Sequence, residues 1–167
     1  MILLFFCWVK DEASDFKKKY SSDEAWALIL KYCSYQERCH AEVRSRLYQY
    51  GLPTPEVEEN ISRLIENNYL NELRFSCAFA RGKFKVKKWG RVKIKIELKR
   101  RQISEYCIKK ALSEIDEEIY LEVLTELIAR KRRDYRGSNL FIQNRKVANY
   151  CMAKGYEGDL VWDLVLA

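Results

Sequence analysis

Apolar residues recur at intervals of three and four along most of this chain, the spacing that places them on one face of an α-helix. The first such segment follows Ser21, which has Glu24 three residues later in the spacing of a capping box. A second capping-box spacing, Ser34 to Glu37, precedes another periodic segment that ends near Gly51. A third segment follows that glycine. The pattern predicts three short helices within residues 23–67.

The same pattern returns twice further along the chain. Gly51, Gln102 and Gly155 are equivalent positions, 51 and 53 residues apart. Around them, four columns are consistently apolar: Leu47, Leu98 and Cys151; Leu52, Ile103 and Tyr156; Val57, Ile108 and Val161; and Ile61, Leu112 and Val165. Because each short unit of a repeat array buries its core against its neighbours, this register predicts an all-α fold, an elongated modular array of three tandem three-helix repeats.

We expect the repeats to occupy residues 23–67, 71–115 and 116–166, with an N-terminal segment, residues 1–22, outside them. The low content of chain breakers, six Gly and two Pro in 167 residues, favours helices throughout. One segment, 92–96, alternates apolar and basic residues with the period of a strand. It continues into good helix formers, and Lys is depleted in strands, so the repeat register favours a helix there too.

The N-terminal segment opens with nine apolar residues, too few to span a bilayer as a helix. It has no basic leader, so we expect neither a secretory signal nor a membrane partner. A docked segment and a start codon placed too far upstream both remain open. The six cysteines form no CxxC pair, which favours a reduced, cytoplasmic location.

Positive charge is concentrated between Arg81 and Arg101, where eleven of 21 residues are Lys or Arg and only Glu97 is acidic. The net charge of this stretch, +10, exceeds the +7 of the whole chain. Because the charge is almost all of one sign, ion pairs between helical neighbours cannot neutralise it. The resulting positive field suits a polyanion or an acidic protein face. We name the candidate binding residues the basic strip: Lys83, Lys85, Lys87, Lys88, Trp89, Arg91, Lys93 and Lys95.

A second basic run follows at the predicted end of the first helix of the third repeat. Its members are Arg130, Lys131, Arg132, Arg133 and Arg136. They are a secondary basic patch, or they complement the dipole at a helix C-terminus. Trp89 likewise has two interpretations, an interface anchor for a partner or a tryptophan of the core.

Lys87, Lys88 and Arg91 flank the predicted start of a helix, where the helix dipole disfavours cations. We expect an anionic partner to meet both these side chains and the free N–H groups of the first turn. Reversing all three charges to Glu should then leave thermal stability similar or slightly raised.

Catalytic and metal-binding patterns are missing from the sequence. The chain has one histidine, His40, next to Cys39, and neighbouring residues on a helix point about 100° apart. It has no glycine-rich phosphate loop and no nucleophile motif. We therefore expect a binding protein that is not an enzyme and uses no metal or cofactor.

Two stretches carry a resemblance to a known family: AFARGKFKVKKWGRVKIKIELKRRQIS, residues 78–104, and IKKALSEID, residues 108–116. Together with Leu47-x3-Gly51 and the run from Asn68 to Glu72, they make the chain resemble the RecX family of bacterial regulators of the RecA recombinase. In that family a basic stretch precedes a Gly, with Ile and Leu following at intervals of four. Gly90, Ile94 and Leu98 fit this motif, whose role is structural, and the string KFKVKKWGR looks like the Bacteroidetes branch.

The resemblance covers roughly residues 23–166 and implies three three-helix repeats that bind in the groove of the RecA–DNA filament. It implies an inhibitor that limits filament growth, ATP hydrolysis and strand exchange, in DNA repair and the SOS response. The implied partners are RecA filaments and, weakly and without sequence preference, single- and double-stranded DNA; we expect a monomer. The alternative is a stand-alone helical DNA-binding module that acts as a transcription or nucleoid factor. Gln102 stands where many relatives have Gly, so we expect that turn to close without a left-handed residue.

Overall fold

The computed structural model describes residues 20–137 and 139–167, so the predictions for the first 19 residues lie outside the described residues. The described ranges hold nine α-helices and no strand. The helices are α1 (Ser22–Tyr35), α2 (His40–Gln49), α3 (Thr54–Glu66), α4 (Glu72–Lys87), α5 (Arg91–Arg100), α6 (Glu105–Ser113), α7 (Glu117–Asp134), α8 (Leu140–Lys154) and α9 (Gly158–Leu166). The all-α prediction is confirmed, and the segment that alternates like a strand lies within α5.

The helices pack in consecutive groups of three. We call α1–α3 unit one, α4–α6 unit two and α7–α9 unit three. In the ranges that the structure describes, no helix is both long and apolar enough to cross a membrane.

The second helix of each unit ends in the same hydrogen-bonded turn. Gly51, Gln102 and Gly155 have φ values of +82°, +59° and +93°. The next residue donates its N–H five positions back, from Leu52 to Leu47 at 3.4 Å, Ile103 to Leu98 at 3.2 Å and Tyr156 to Cys151 at 3.2 Å. This is the Schellman arrangement. It requires a positive φ, so the expectation that Gln102 avoids the left-handed region is wrong, at a cost of about 1–2 kcal/mol.

The apolar columns of the repeat lie in the core. Eleven of their twelve members are buried, and Leu112 packs against the core while partly exposed. A transfer free energy of about 25 cal/mol per Å2 of apolar surface makes this burial the main stabilising contribution to each unit.

Two predicted helix starts have different outcomes. Ser21 and Glu24 form the predicted capping box, with the Ser21 N–H donating to the Glu24 carboxylate at 2.8 Å. The predicted box at Ser34 is wrong, because Ser34 lies inside α1 and its hydroxyl donates to a carbonyl of the preceding turn at 2.8 Å. The residue that precedes α2 is Cys39, whose N–H donates to Glu42 at 3.4 Å.

The buried apolar side chains form two clusters. One belongs to unit one alone, and the other runs without a break through units two and three. Cys39 is the residue of unit one that joins the larger cluster, with Ala41 packed against it. The described residues therefore fold around two cores, although they form three units.

Candidate binding surface of the second unit

The basic strip follows the end of α4, the connection after it and the start of α5. Lys88 ends α4 in the left-handed conformation, with φ +52°, and Gly90 is the residue that precedes α5. The chain therefore reverses direction within the strip. The cations at the end of α4 and those at the start of α5 therefore lie on the two sides of one turn.

The lysines of the strip form no ion pair with an acidic side chain in the part of the chain that the structure describes. Lys85, Lys87 and Lys95 are exposed, and Lys83, Lys88 and Lys93 are half-buried. None of the six forms an ion pair there, whereas Arg81, Lys99, Arg100 and Arg101 are paired with glutamates. Most of the lysines of unit two that form no ion pair therefore lie on the strip, and Lys109 and Lys110 of α6 lie outside it.

Trp89 is half-buried and packs against the core shared by units two and three. The ammonium groups of Lys83 and Lys93 lie 5.2 and 4.8 Å from its ring centre, within the range of a cation–π interaction. The Trp89 ring thus supports the core and positions two lysines of the strip. Its contact with a partner stays a prediction.

Arg91 differs from the lysines of the strip because it forms an ion pair with unit three. Its guanidinium donates to Glu117 at 2.7 Å and to the Ile115 carbonyl at 3.2 Å, and lies 4.2 Å from the centre of the Tyr120 ring. Its backbone N–H donates to the Tyr120 hydroxyl at 3.1 Å. Arg91 therefore joins unit two to unit three.

The first turn of α5 is also occupied. The N–H groups of Gly90 and Val92 donate to the carbonyls of Lys154 and Gly155, at 2.9 and 3.0 Å. The C-terminus of α8 thus meets the N-terminus of α5, an arrangement in which the two helix dipoles attract. The prediction that these N–H groups are free for an anionic partner is wrong. The Arg91→Glu part of the triple charge reversal should lower stability, since it places a second carboxylate beside Glu117.

Gly90 makes this helix-to-helix contact possible. A Cβ atom on Gly90 would lie 2.1 Å from the Gly155 carbonyl oxygen, and one on Gly155 would lie 2.2 Å from the Cβ of Lys93. The two backbones can approach this closely only because both residues lack side chains. Ile94 and Leu98, the other residues of the motif, are fully buried. Gly90, Ile94 and Leu98 therefore build the fold and its junction.

A buried tyrosine completes this junction, and sequence analysis did not identify it. The Tyr120 hydroxyl donates to the Glu157 carboxylate at 2.6 Å and accepts from the Arg91 N–H. Burial raises the pKa of Tyr120 above its ordinary value, so the hydroxyl stays protonated and remains a donor. In the sequence, Tyr120 is indistinguishable from an apolar core position of α7.

Two cations of the secondary basic patch form contacts within unit three, and the other three are exposed. Arg132 donates to the Val165 carbonyl at 2.7 Å, and Lys131 pairs with Asp134 at 2.6 Å. The Arg132 contact is at the end of α9, so this arginine caps another helix than its own. Arg130, Arg133 and Arg136 are exposed and form no ion pair within the described ranges.

The fold brings part of this patch to the basic strip. Lys88, Arg130 and Arg133 line one groove of about 360 Å3, whose other lining residues are Val123, Glu126, Leu127 and Ala129. Lys88 therefore borders the same groove as two arginines that follow it by more than 40 residues in the sequence. Among the residues that the structure describes, no group of three His, Cys, Asp or Glu side chains could hold a metal ion.

Three family models match the chain in consecutive segments. They are the first, second and third three-helix domains of RecX, at residues 25–64, 71–112 and 117–165.

Curated relatives named regulatory protein RecX are similar in sequence. The protein of Bacillus cytotoxicus is 26% identical over 138 residues, which cover 83% of this chain and 51% of the relative. The protein of Bacillus thuringiensis is 25% identical over 138 residues, again 83% of this chain and 51% of the relative. The chain spans about half the length of these relatives.

Two crystal structures share the fold. The RecX structure from Lactobacillus salivarius has a TM-score of 0.78 at 20% identity. The match covers 87% of this chain and 94% of the Lactobacillus salivarius chain. A second structure of a regulatory protein RecX has a TM-score of 0.78 at 22% identity, over 87% of this chain and 71% of its own. The resemblance to the Bacteroidetes branch stays a prediction. Three RecX domain models that follow one another along one chain show that it belongs to the RecX family.

Proposed function

We propose that this protein regulates RecA by binding along the groove of the RecA–DNA filament. Bound there, it limits filament growth, ATP hydrolysis and strand exchange. The observation that carries the proposal is the basic strip of a RecX-family chain, whose six lysines form no ion pair within the described ranges. Such charge repels itself unless an anionic partner offsets it.

The chemistry of the strip suits a filament groove lined by phosphates and acidic side chains. Lysines act as point charges and neutralise phosphates, whereas base reading depends mostly on bidentate Arg, Asn and Gln. We therefore expect weak DNA binding without sequence preference, and preference for the filament. An inhibitor of this kind needs no catalytic residue, because preferential binding to one filament state shifts the equilibrium towards that state.

The test compares two charge reversals within unit two. Lys85→Glu with Lys87→Glu removes exposed cations of the strip, and Lys109→Glu with Lys110→Glu makes the same charge change on the exposed side of α6. We expect the first variant to lose inhibition of RecA-dependent ATP hydrolysis and co-sedimentation with preformed filaments, while the second retains both. Equal inhibition by both variants at wild-type concentration would make the strip an ordinary solvated surface.

Naked DNA and free RecA are the other arms of this experiment. If several lysines contact phosphates, the logarithm of DNA affinity should fall with the logarithm of salt concentration by about 0.7–0.9 per contact. Tight, salt-insensitive binding to one DNA sequence, with no binding to filaments, would instead support a stand-alone DNA-binding module.

A further inference from the structure

The first turn of α8 exposes three consecutive large apolar side chains. Leu140, Phe141 and Ile142, which we call the α8 tip, are 70%, 73% and 48% exposed. Single exposed apolar residues are common, but three together on one helical turn form a continuous apolar cap. A contact with water on this scale is unfavourable unless a partner covers it.

The α8 tip continues the buried face of its own helix beyond the core. Leu140 and Phe141 precede the fully buried Val147 and Ala148 by seven residues, two helical turns that return to nearly the same direction. Of these two pairs, only Val147 and Ala148 belong to the core of unit three. The apolar face therefore extends past the helices that could cover it.

The surroundings of the tip are positively charged. Residues 130–146 include seven Lys or Arg and one acid, Asp134. Arg145 and Lys146 follow Phe141 and Ile142 by four residues, the spacing of neighbours on a helix surface. The first turn of α8 also carries no acidic residue to offset the positive end of the helix dipole.

The start of α8 is attached to the last turn of α7, and one residue of that turn lines the groove that joins the two basic regions. The Gln143 side chain donates to the Arg132 carbonyl at 2.9 Å, so the start of α8 lies against the last turn of α7. The next residue of that turn, Arg133, lines the groove with Lys88. A partner bound along the basic strip would therefore have the tip within reach at one end.

We infer that the α8 tip is a protein-docking surface that inserts into an apolar recess rimmed by carboxylates. This inference rests on the proposed function, and it assigns the tip to the protein subunits of the filament and the basic strip to phosphates. A protein recess fits better than a DNA base step. Successive helical residues point about 100° apart, so the three side chains form a broad cap and cannot enter one step together. Two of them are aliphatic and offer no ring for base stacking.

The test replaces the apolar surface and keeps every charge. The tip variant carries Leu140→Gln, Phe141→Gln and Ile142→Gln, and the control carries Tyr106→Gln, Ile119→Gln and Leu166→Gln, which are 65%, 52% and 72% exposed. We expect the tip variant to bind naked DNA within twofold of wild type and to lose at least about tenfold in affinity for RecA–DNA filaments. The control should match wild type in both assays.

Each contrary outcome identifies a different error. If the wild type binds filaments and the tip variant binds them equally well, the inference fails and the proposed function stands. If the wild type does not bind filaments, both fail. An equal loss on naked DNA would assign the tip to nucleic acid. A wild-type dimer that dissociates in the tip variant would assign it to a second copy, and a loss of thermal stability absent from the control would assign it to this chain's own contacts; each overturns the inference.

Discussion

The two junctions between successive units are built from different interactions. Units one and two meet through ion pairs, Glu37 with Arg74 at 2.6 Å and Glu42 with Arg101 at 3.9 Å, together with the buried Cys39. The side chains of these pairs are about one third exposed. Exposed ion pairs contribute about 0–1 kcal/mol each, so the polar part of this junction is weak.

Units two and three meet through backbone and core. The end of α8 hydrogen-bonds to the start of α5 where Gly90 faces Gly155, and the Tyr120 hydroxyl bridges Arg91 and Glu157 beside a continuous apolar cluster. Packing of this kind resists small shifts, because close-packed interiors have low compressibility. The difference predicts that units two and three move as one body, while unit one can change its orientation on them.

The largest effect should come from closing the gap at the second junction. Gly90→Ala places a Cβ atom 2.1 Å from the Gly155 carbonyl oxygen, so the helices must separate and lose their two backbone hydrogen bonds. We expect a loss of about 3 kcal/mol or more in the free energy of unfolding, measured by urea denaturation.

Gly82→Ala is the matched control for this substitution. Gly82 lies inside α4, and a Cβ atom there would meet nothing within 4 Å. Because alanine favours helices over glycine, this change should raise stability by about 0.5–1 kcal/mol. A Gly90→Ala variant as stable as wild type would show that the close approach of the two helices is absent in solution.

A smaller effect should follow from removing one oxygen at the same junction. Tyr120→Phe keeps the ring but leaves the Arg91 N–H and the Glu157 carboxylate without their buried partner. We expect unfolding to cost about 1–3 kcal/mol less. Tyr106→Phe, at a tyrosine that is 65% exposed, should change stability by less than about 0.5 kcal/mol. Equal effects of the two substitutions would contradict a structural role for the Tyr120 hydroxyl.

Local periodicity explains what sequence analysis could predict about the fold. The repeat register placed the turns at Gly51, Gln102 and Gly155, and it favoured a helix over residues 92–96 against their strand-like alternation. Both predictions depend on a short local pattern, within ten residues of each turn, that recurs at intervals of 51 and 53 residues. The boundary at Ser34 was missed because Cys39, a weak capping residue by type, precedes α2 instead.

The junction and the candidate site depend on residues far apart in sequence. Cations at the start of α5 are unfavourable for the helix dipole, and this cost suggested an external anion. The C-terminus of α8, more than 60 residues later, already offsets that cost. The pairing of Arg91 with Glu117 was missed for the same reason, because the two residues are far apart in sequence. The exposed lysines could be predicted from composition, whereas the groove that joins Lys88 to Arg133 could not.

The smallest effect we expect is kinetic, and it compares the junctions within one molecule. Cys39 and Cys151 are both fully buried, Cys39 between units one and two and Cys151 in the core of unit three. Burial raises the pKa of both thiols, that of Cys151 to about 11, so at neutral pH each is protonated and reacts only after an opening that exposes it. Opening the first junction should expose Cys39 and leave Cys151 covered.

We therefore expect a thiol reagent to modify Cys39 at least about tenfold faster than Cys151, a difference of about 1.4 kcal/mol in opening free energy. Peptide mapping by mass spectrometry measures both rates in one sample, and the unfolded chain in urea gives the control, where the two rates should converge. A Cys39→Ser chain confirms the assignment, because modification of the peptide that contains residue 39 should disappear and the Cys151 rate should remain. Equal rates under native conditions would mean that both sites open only by global unfolding. In that case the weakly paired first junction is as firm as the second, and the three units move together.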